Sequence, residues 1–237
     1  MDTNNFVENI FNDSTQSYRN TLLRKPIAIF MMGIPGSGKS TVIRQFIRNI
    51  LPLVLYDLDI LGEERFLTEN NFMNCNPDKV MEYITGFNLA KKEDFLGRAT
   101  IYNNKLFKMV ILDKDFYGKK YNLIYDATGY QYGHYLKHIQ IAKENGYLTI
   151  LINISIEPVI AFQRIKNRER KVEFEIINKV YNNIYNKKNE KSKYPNKNNL
   201  DILSEQTDLY FTINNNGESK IEELSTLKEE VYINIIF

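Results

Sequence analysis

The 237-residue sequence contains one cysteine, Cys75, no tryptophan and only six prolines. A single cysteine excludes an internal disulfide, so the fold depends on a hydrophobic core, for which 43% apolar residues are enough. No apolar run approaches the roughly 20 residues that a membrane helix needs. Residues 1–5 also lack the basic and then apolar pattern of a signal peptide. We therefore expect a soluble, cytoplasmic protein without a membrane partner.

The chain also lacks an excess of charge of either sign, since 31 basic and 29 acidic residues leave a formal net charge of +2. Such a balance gives no general argument for nucleic acid or a membrane surface as a partner. A local basic patch is still possible in the lysine-rich connection at residues 187–200. Solvated polypeptide is the commoner explanation of such a stretch, and contact with a nucleic-acid backbone is the alternative.

The most informative stretch is GIPGSGKS at residues 33–40, which matches the pattern G-x-x-x-x-G-K-[ST] in full. An unbroken apolar run at 26–32 precedes it, as in a strand buried on both faces of a parallel sheet, and a helical pattern at 40–50 follows. In such a loop the glycines bring backbone N–H groups against phosphate oxygens. The pattern predicts a site for ATP or GTP, formed by Gly33, Gly36, Ser37, Gly38, Lys39, Ser40 and Thr41.

Two residues of this loop have predicted chemical roles. Lys39 should reach the β and γ phosphates, and the Ser40 hydroxyl should hold Mg²⁺. A carboxylate commonly shares the metal, and Asp126 stands at the end of an apolar segment, where such an acid is expected. We expect Ser40 and Asp126 to bind Mg²⁺, with Asp126 acting through a water molecule.

Strand-like segments alternate with helical ones along the chain. The predicted strands are 26–32, 53–56, 121–126, 147–154 and 209–213. This alternation predicts parallel strands joined by right-handed crossovers. We therefore expect an α/β protein with three layers, α/β/α, a mainly parallel five-stranded sheet and a single domain over residues 1–237.

The remaining segments are predicted to be mostly helical. A leading helix lies within residues 1–25, and a helical insertion occupies 61–118 between the second and third strands. In P-loop kinases a helical insertion of this length between two core strands often carries acceptor-site residues, and by this fold analogy alone we expect the same here. A short helix near 219–230 and an edge strand at 231–237 end the chain.

Polar residues follow two of the predicted strands, and ligands of such sheets bind outside the carboxyl ends of the strands. Asp57 and Asp59 follow strand 53–56, and Thr128 follows Asp126. Asp59 is the candidate for orienting or deprotonating the acceptor hydroxyl, with Asp57 as the alternative. One of these two carboxylates can equally be a helix cap or a solvated turn residue. Asp57 and Thr128 are expected to contact the acceptor.

Three arginines, Arg164, Arg168 and Arg170, follow the fourth predicted strand. Arg164 and Arg168 lie four residues apart, on one face of a helix, where like charges repel unless they share an anion. They are predicted to close on the triphosphate and stabilise the transition state. A solvated surface is the alternative.

With these residues placed, the chain resembles the zeta-toxin-like P-loop kinases, a family related in fold to polynucleotide kinases. The resemblance runs over residues 33–40, 56–59 and 121–129, and continues in Gly146-Tyr147 and the strand after them. The family often has Glu where Asp126 stands. It also has an acidic residue in the helix before the third strand, where this chain has Asn103-Asn104-Lys105.

The resemblance implies a role for five residues. Asp59 would be the catalytic acid, Arg164 and Arg170 would face the phosphates, and Asp126 with Thr128 would form the acid-x-Thr pair. The predicted function is therefore transfer of the γ-phosphate of ATP or GTP, with Mg²⁺, to a hydroxyl of a small-molecule or nucleotide-like acceptor. The alternatives are a polynucleotide or modified-base kinase, and a nucleotide-binding module without transfer activity.

Overall fold

The computed structural model describes residues 3–21, 23–61, 66–88, 92–166, 172–188, 194–217 and 220–225. These residues contain six strands: β1 (Ile27–Met32), β2 (Met73–Cys75), β3 (Leu123–Asp126), β4 (Leu148–Ser155), β5 (Leu209–Asn214) and β6 (Lys220–Ser225). They form one sheet in the order β2-β3-β1-β4-β5-β6. β2 pairs with β3 and β4 with β5 in parallel, whereas β6 pairs with β5 antiparallel. The predicted α/β fold with a mainly parallel sheet is confirmed.

The α-helices of the described residues are α1 (Thr3–Ser17), α2 (Lys39–Gln45), α3 (Leu51–Asp57), α4 (Pro77–Glu82), α5 (Lys92–Leu112), α6 (Tyr132–Glu144), α7 (Pro158–Lys166), α8 (Phe174–Tyr181) and α9 (Asn199–Gln206). Single π-helical turns, Phe46–Ile50 and Asn182–Asn186, follow α2 and α8. The predicted leading helix is confirmed as α1. None of the helices in the described ranges combines the length and the hydropathy that crossing a membrane requires.

The chain forms two compact units. The first consists of Met1–Ala28, Arg44–Asp126 and Asn145–Tyr147, and the second of Ile29–Ile43, Ala127–Glu144 and Leu148–Phe237. The first unit therefore contains β2 and β3 with α1, α3, α4 and α5. The second contains the phosphate loop, β4 to β6 and α6 to α9.

In the first unit several chain segments are linked by hydrogen bonds to one residue, Asn122. It is 2% exposed and precedes β3. Its Oδ1 accepts a hydrogen bond from the Ile27 amide at 2.9 Å. Its Nδ2 donates to Thr21 Oγ1 at 3.1 Å and to the Asn71 carbonyl at 3.2 Å, while its own carbonyl accepts from the Met73 amide at 2.8 Å. Because buried polar groups are costly when unpaired, this one side chain fixes how three chain segments meet.

The second unit is ordered by β4, in which every residue from Leu148 to Ile154 is buried. Asp208 precedes β5 and accepts hydrogen bonds from both the amide and the hydroxyl of Thr149, each at 2.8 Å. Lys143 of α6 lies 3.1 Å from the same carboxylate. Burial alone would raise the pKa of Asp208, but these hydrogen bonds and the Lys143 charge outweigh it and lower the pKa below its usual value. The contacts fix the register of β4 against β5.

The strand predicted at 53–56 is wrong, because these residues lie in α3. Leu51, Val54 and Leu55 are buried, while Leu53 and Tyr56 are 55% and 67% exposed, which is the burial pattern of a helix. A short continuous apolar run fits a buried strand and a helix equally well by periodicity. Pro52 lies at the start of α3, where its missing N–H costs nothing, so it does not interrupt the helix.

The segment 61–118 is not purely helical, since it contains the short strand β2. Met73 pairs with Leu123 and Cys75 with Tyr125, so these residues add a strand to the sheet beside β3. Helix α4 begins after Asn76, which caps it by accepting from the Asp78 amide at 2.8 Å. Residues 92–112 form one helix, α5.

Two predictions near the C-terminus are corrected. Residues 220–225 form β6 instead of a helix, since the turn after β5 returns the chain to the unpaired edge of that strand. The polar connection at 187–200 ends in α9, which begins with a reciprocal capping box between Asn198 and Asp201. The edge strand predicted at 231–237 lies outside the described residues.

Candidate active site

The phosphate-loop sequence forms the connection between β1 and α2. All six residues of β1 are buried, and α2 begins directly at Lys39. The Ser37 amide donates to the Ile34 carbonyl at 3.1 Å, which closes the turn. The Thr41 amide then donates to the Gly38 carbonyl at 3.0 Å, which starts the helix. Residues 33–41, predicted to hold the nucleotide, thus form one continuous strand–loop–helix unit.

Two glycines of the loop lie where no other residue fits. Gly36 has φ of 84°, and a Cβ there would lie 2.5 Å from the Ala161 carbonyl oxygen of α7. Gly38 has φ of 86°, and a Cβ there would lie 2.6 Å from Asn215 Nδ2. Both the backbone conformation and the close packing require glycine. The loop is therefore pressed against α7 and against the end of β5.

Lys39 lies half-buried at the start of α2. Its Nζ donates a hydrogen bond to the Gly33 carbonyl at 3.0 Å. The side chain thus folds back over the loop, toward the backbone groups that a phosphate would contact. Ser40 and Thr41 follow on the exposed side of α2.

Arg164 of α7 lies next to the loop, as its predicted role requires. One guanidinium nitrogen, Nη2, donates to the Asn215 carbonyl at 2.8 Å. The other, Nη1, lies 3.8 Å from the position that a Gly38 Cβ would take. Arg168 and Arg170, predicted to act with Arg164, lie outside the described residues.

The segment after β3 contacts the first residue of the loop. The Gly33 amide donates to the Thr128 carbonyl at 3.2 Å, and the Thr128 hydroxyl accepts from the Tyr130 amide at 3.3 Å. Asn199 is 4% exposed and donates through Nδ2 to the carbonyls of Gly129 and Tyr130, at 3.3 and 2.9 Å. Thr128, predicted to contact the acceptor, is therefore held directly beside the phosphate loop.

An open cavity of about 590 Å³ begins at this segment. Its walls carry two tyrosines, one histidine, one lysine and three side-chain amides: Tyr130, Tyr132, His134, Lys137, Gln131, Asn183 and Asn199. Among the described residues Lys137 has no acidic partner. A cavity of this size accommodates a small molecule, and tyrosine faces with a cation nearby suit a planar ring that bears an anionic group.

In the first unit, polar residues follow two neighbouring strands. Asn76 comes directly after β2, and Asp126 ends β3. Asn76 Nδ2 donates to Asp126 Oδ2 at 3.0 Å, while Asn76 Oδ1 caps α4 through the Asp78 amide. Asn76 therefore links Asp126 to the helix start that carries the exposed carboxylate of Asp78.

Asp57 and Asp59 are not at the end of a strand, which corrects the basis on which they were selected. Asp57 is the last residue of α3, and Asp59 has φ of 54° just after that helix. The Asp59 carboxylate forms an ion pair with Arg24, and its side chain is 79% exposed. In the described structure the carboxylate that follows a strand within 61–118 is that of Asp78, after β2.

The lysines of the 187–200 connection form no continuous patch within the described residues. Lys187 and Lys188 are exposed, and Lys197 forms an ion pair with Glu205 of α9. Lys191 and Lys193 lie outside the described residues. No group of three or more His, Cys, Asp or Glu residues is arranged to hold a metal ion in the described part of the chain.

Comparison with known families identifies the fold. The family model described as Zeta toxin matches residues 12–220. The chain belongs to the zeta toxin family. Membership in this family, together with the phosphate loop, makes the chain a nucleotide-dependent kinase in general terms. A sequence comparison with curated proteins gives no match.

Solved structures share the zeta toxin fold at low sequence identity. A chain of the native AvrRxo1-ORF1:ORF2 complex has a TM-score of 0.67 and 14% identity, covering 95% of this chain and 68% of that one. A chain of the PezAT toxin–antitoxin system of Streptococcus pneumoniae has a TM-score of 0.61 and 15% identity, covering 97% and 82%. A chain of the AvrRxo1-ORF1:ORF2 complex with ATP has a TM-score of 0.64 and 14% identity, covering 96% and 68%. These likenesses support the fold.

Proposed function

We propose that the protein transfers the γ-phosphate of ATP or GTP to a hydroxyl group of a small, nucleotide-like acceptor. The observation that carries this proposal is the contact of the phosphate loop with Arg164, through Asn215. Phosphoryl transfer asks a protein mainly for positioning and for positive charge around the transferring group. A loop that binds phosphate and an arginine held beside it supply both. The solved AvrRxo1 complex with ATP, a structure of the same fold, is in keeping with an ATP site here.

The donor side uses the second unit. The loop amides and Lys39 bind the β and γ phosphates, and Arg164 neutralises charge that develops on the γ-phosphoryl group. We extend this role to Arg168 and Arg170, which follow Arg164 in the sequence. An arginine fork matches phosphate oxygens in pairs, which favours arginine over lysine for this task.

The residues present suit Mg²⁺ as the metal. The Ser40 hydroxyl and the Asp126 carboxylate would hold the ion, and both offer the oxygen ligands that Mg²⁺ prefers. Protein-bound Mg²⁺ usually has one or two carboxylate ligands and fills its other positions with phosphate oxygens and water. The ion would neutralise charge on the triphosphate. Asn76, which donates to Asp126, keeps that carboxylate oriented.

For the acceptor side we favour Asp78 over Asp59 as the residue that orients or deprotonates the hydroxyl. Asp78 follows β2, and ligands of parallel sheets bind outside the carboxyl ends of the strands. Asp59, which the family resemblance suggested, is in an exposed ion pair with Arg24. Asp57, the alternative, ends a helix.

The acceptor itself would bind at the cavity that begins at Tyr130. Tyr130 and Tyr132 offer faces for a planar ring, and Lys137 offers positive charge for an attached phosphate. This composition favours a nucleotide-like acceptor over an uncharged sugar. The rival acceptor, a nucleic-acid strand, would need an extended basic groove.

The test is transfer of labelled γ-phosphate from ATP and from GTP, with Mg²⁺, to three pools: nucleosides and nucleotide sugars, short DNA and RNA, and water alone. Lys39→Ala and Asp78→Asn should each reduce transfer about 100-fold or more, because each removes a group that acts on the transferring phosphate or the acceptor. Asp59→Asn, a matched carboxylate-to-amide control, should stay within about twofold of wild type.

The pools separate the proposals. Product in the small-molecule pool supports the proposed function, whereas product only in the DNA and RNA pool would replace it by nucleic-acid phosphorylation. If the protein binds nucleotide but forms no product in any pool, the proposed kinase activity is replaced by the alternative of a nucleotide-binding module without transfer activity. Loss of transfer in Asp59→Asn, with full activity in Asp78→Asn, would return the acceptor role to Asp59.

A further inference from the structure

Asn215 is a buried residue that directly follows β5, in a run of three asparagines. It is 8% exposed. Its amide N–H donates to the Ser155 carbonyl at 2.9 Å, which extends the pairing of β4 with β5 by one bond. Its side-chain Nδ2 donates to the Ser37 carbonyl at 2.7 Å, and its carbonyl accepts from Arg164 Nη2 at 2.8 Å. Asn215 therefore contacts the sheet, the phosphate loop and Arg164 of α7.

The bond to Ser37 fixes the direction of a loop amide. The Ser37–Gly38 peptide is trans, like every peptide bond in the described residues. In a planar trans peptide the carbonyl oxygen and the next N–H point in opposite directions. Holding the Ser37 carbonyl against Asn215 therefore turns the Gly38 N–H away from Asn215, to the other side of the loop. Gly38 is the residue before Lys39, so this N–H is among those expected to face phosphate.

Close packing makes this arrangement specific. A Cβ on Gly38 would lie 2.6 Å from Asn215 Nδ2, so the amide nitrogen lies close against the loop backbone. Ser37 is fully buried, and its own hydroxyl has no hydrogen-bond partner in the described structure. The Ser37 side chain therefore does not hold the peptide plane, and the bond from Asn215 has to do so.

The backbone carbonyl of Asn215 restrains Arg164. A hydrogen bond from a guanidinium is charge-assisted and directional, and it leaves the remaining N–H donors of the fork for another partner. Because the same residue holds the Ser37 carbonyl, the loop amide and the arginine are positioned from a common point at the end of β5.

We propose that Asn215 is a positioning residue that orients the Gly38 N–H and Arg164 toward the same phosphate group of the bound nucleotide. The proposal rests on the proposed function only for the identity of the ligand as a nucleoside triphosphate. Asn215 itself touches no reacting atom. It acts by fixing two donors before the nucleotide arrives, so that they need no rearrangement on binding.

Asn216 provides a matched control in the next position. It has the same side chain and accepts a hydrogen bond through Oδ1 from the Glu157 amide at 2.8 Å. No contact of its side chain with the phosphate loop or with Arg164 is found in the described residues. A residue that only completes the turn after β5 would behave like Asn216.

The test measures the affinity for ATP and for ADP by calorimetry, which needs no acceptor, and then kcat and KM where transfer is found. Asn215→Ala should weaken the binding of ATP and of ADP about 10-fold, because it removes the side-chain donor that holds the Ser37 carbonyl, whereas the backbone carbonyl that accepts from Arg164 is kept. In the transfer assay kcat should fall about 100-fold while KM for the acceptor stays within about twofold. Asn216→Ala should leave every value within about twofold.

Asn215→Asp preserves the size and the backbone bonds but replaces the donor to Ser37 by an acceptor. It should weaken ATP binding at least as much as Asn215→Ala, and Asn216→Asp controls for the added charge. If Asn215→Ala fails to fold, the comparison of the two aspartate variants decides by the same thresholds. ATP affinity within twofold of wild type in Asn215→Asp, or an equal loss in the Asn216 variants, would overturn the proposal. Absence of transfer in every pool would count against the kinase alone, since binding is measured separately.

Discussion

Gly36 shows how strictly the phosphate loop depends on a single residue. An alanine there would need φ of 84°, which L-residues rarely adopt, and its Cβ would lie 2.5 Å from the Ala161 carbonyl oxygen and 2.9 Å from Ile165 Cδ1. We expect Gly36→Ala to weaken ATP binding about 10-fold or more and to lower the free energy of unfolding by about 1–3 kcal/mol. Calorimetry with ATP and urea denaturation measure the two effects.

Gly217 is the control for that substitution. It has an ordinary φ, and a Cβ there would have no atom within 4 Å. Gly217→Ala should leave both ATP affinity and stability nearly unchanged. Wild-type ATP affinity in Gly36→Ala would show that the loop relaxes freely, against the packing described.

At the same scale, the sequence carries more information about the phosphate loop than about the acceptor residues. The loop could be predicted because its motif has a fixed spacing, and the structure places Arg164 of α7 beside it. The roles of these residues at the phosphates stay predictions. The choice between Asp59 and Asp78 depended on which apolar segment is a strand. Asn215 gave no signal, since its contacts are with residues 37, 155 and 164, far away in sequence.

At the scale of elements, Asn122 is where the first unit is most sensitive. Asn122→Ala would leave the Ile27 amide, the Thr21 hydroxyl and the Asn71 carbonyl without their buried partner. Because each buried polar group left unpaired costs about 1–3 kcal/mol, with partial relaxation, we expect a loss of about 2–4 kcal/mol in the free energy of unfolding. Urea denaturation followed by circular dichroism measures it.

Asn49 serves as the comparison for Asn122, because its side chain is exposed. Asn49→Ala should change stability by less than about 0.5 kcal/mol. Equal stabilities for the two variants would mean that water replaces the side chain of Asn122 without cost.

The same scale explains which elements the sequence could predict. β1, β4 and β5 are long and apolar and lie next to clear turn or cap signals, so their bounds were predicted within two residues. Residues 53–56 have the same composition but lie in α3, where the preceding helix continues. β2 has only three residues, and its pairing with β3 depends on a partner about 50 positions away. Local pattern contains no information about such a pairing.

At the scale of the whole molecule, the lone thiol offers a probe of global opening. Cys75 is fully buried, and burial raises its pKa well above the usual value. Both effects oppose reaction, since the thiolate is the reactive form. We expect a thiol-specific reagent to label the native protein at least about 100-fold more slowly than the chain in 6 M guanidinium.

Because the chain has one cysteine, the labelling rate reports opening at β2 in the first unit, without a background from other thiols. A Cys75→Ser variant should give no labelling at all. Native labelling within tenfold of the denatured chain would show that β2 separates from β3 far more readily than the rest of the unit unfolds.

The packing of α7 on the phosphate loop also limits which sequence changes the protein can accept during evolution. Ala161 and Ile165 fill the space beside Gly36, and Arg164 lies on the same helix between them. Inserting or deleting one residue in this helix would rotate everything after it by about 100°. The loop contact and the arginine would then be lost together, in one event. Point substitutions at the exposed Val159 and Gln163 leave that register intact. Variation within α7 is therefore expected to accumulate through substitution, with length held constant.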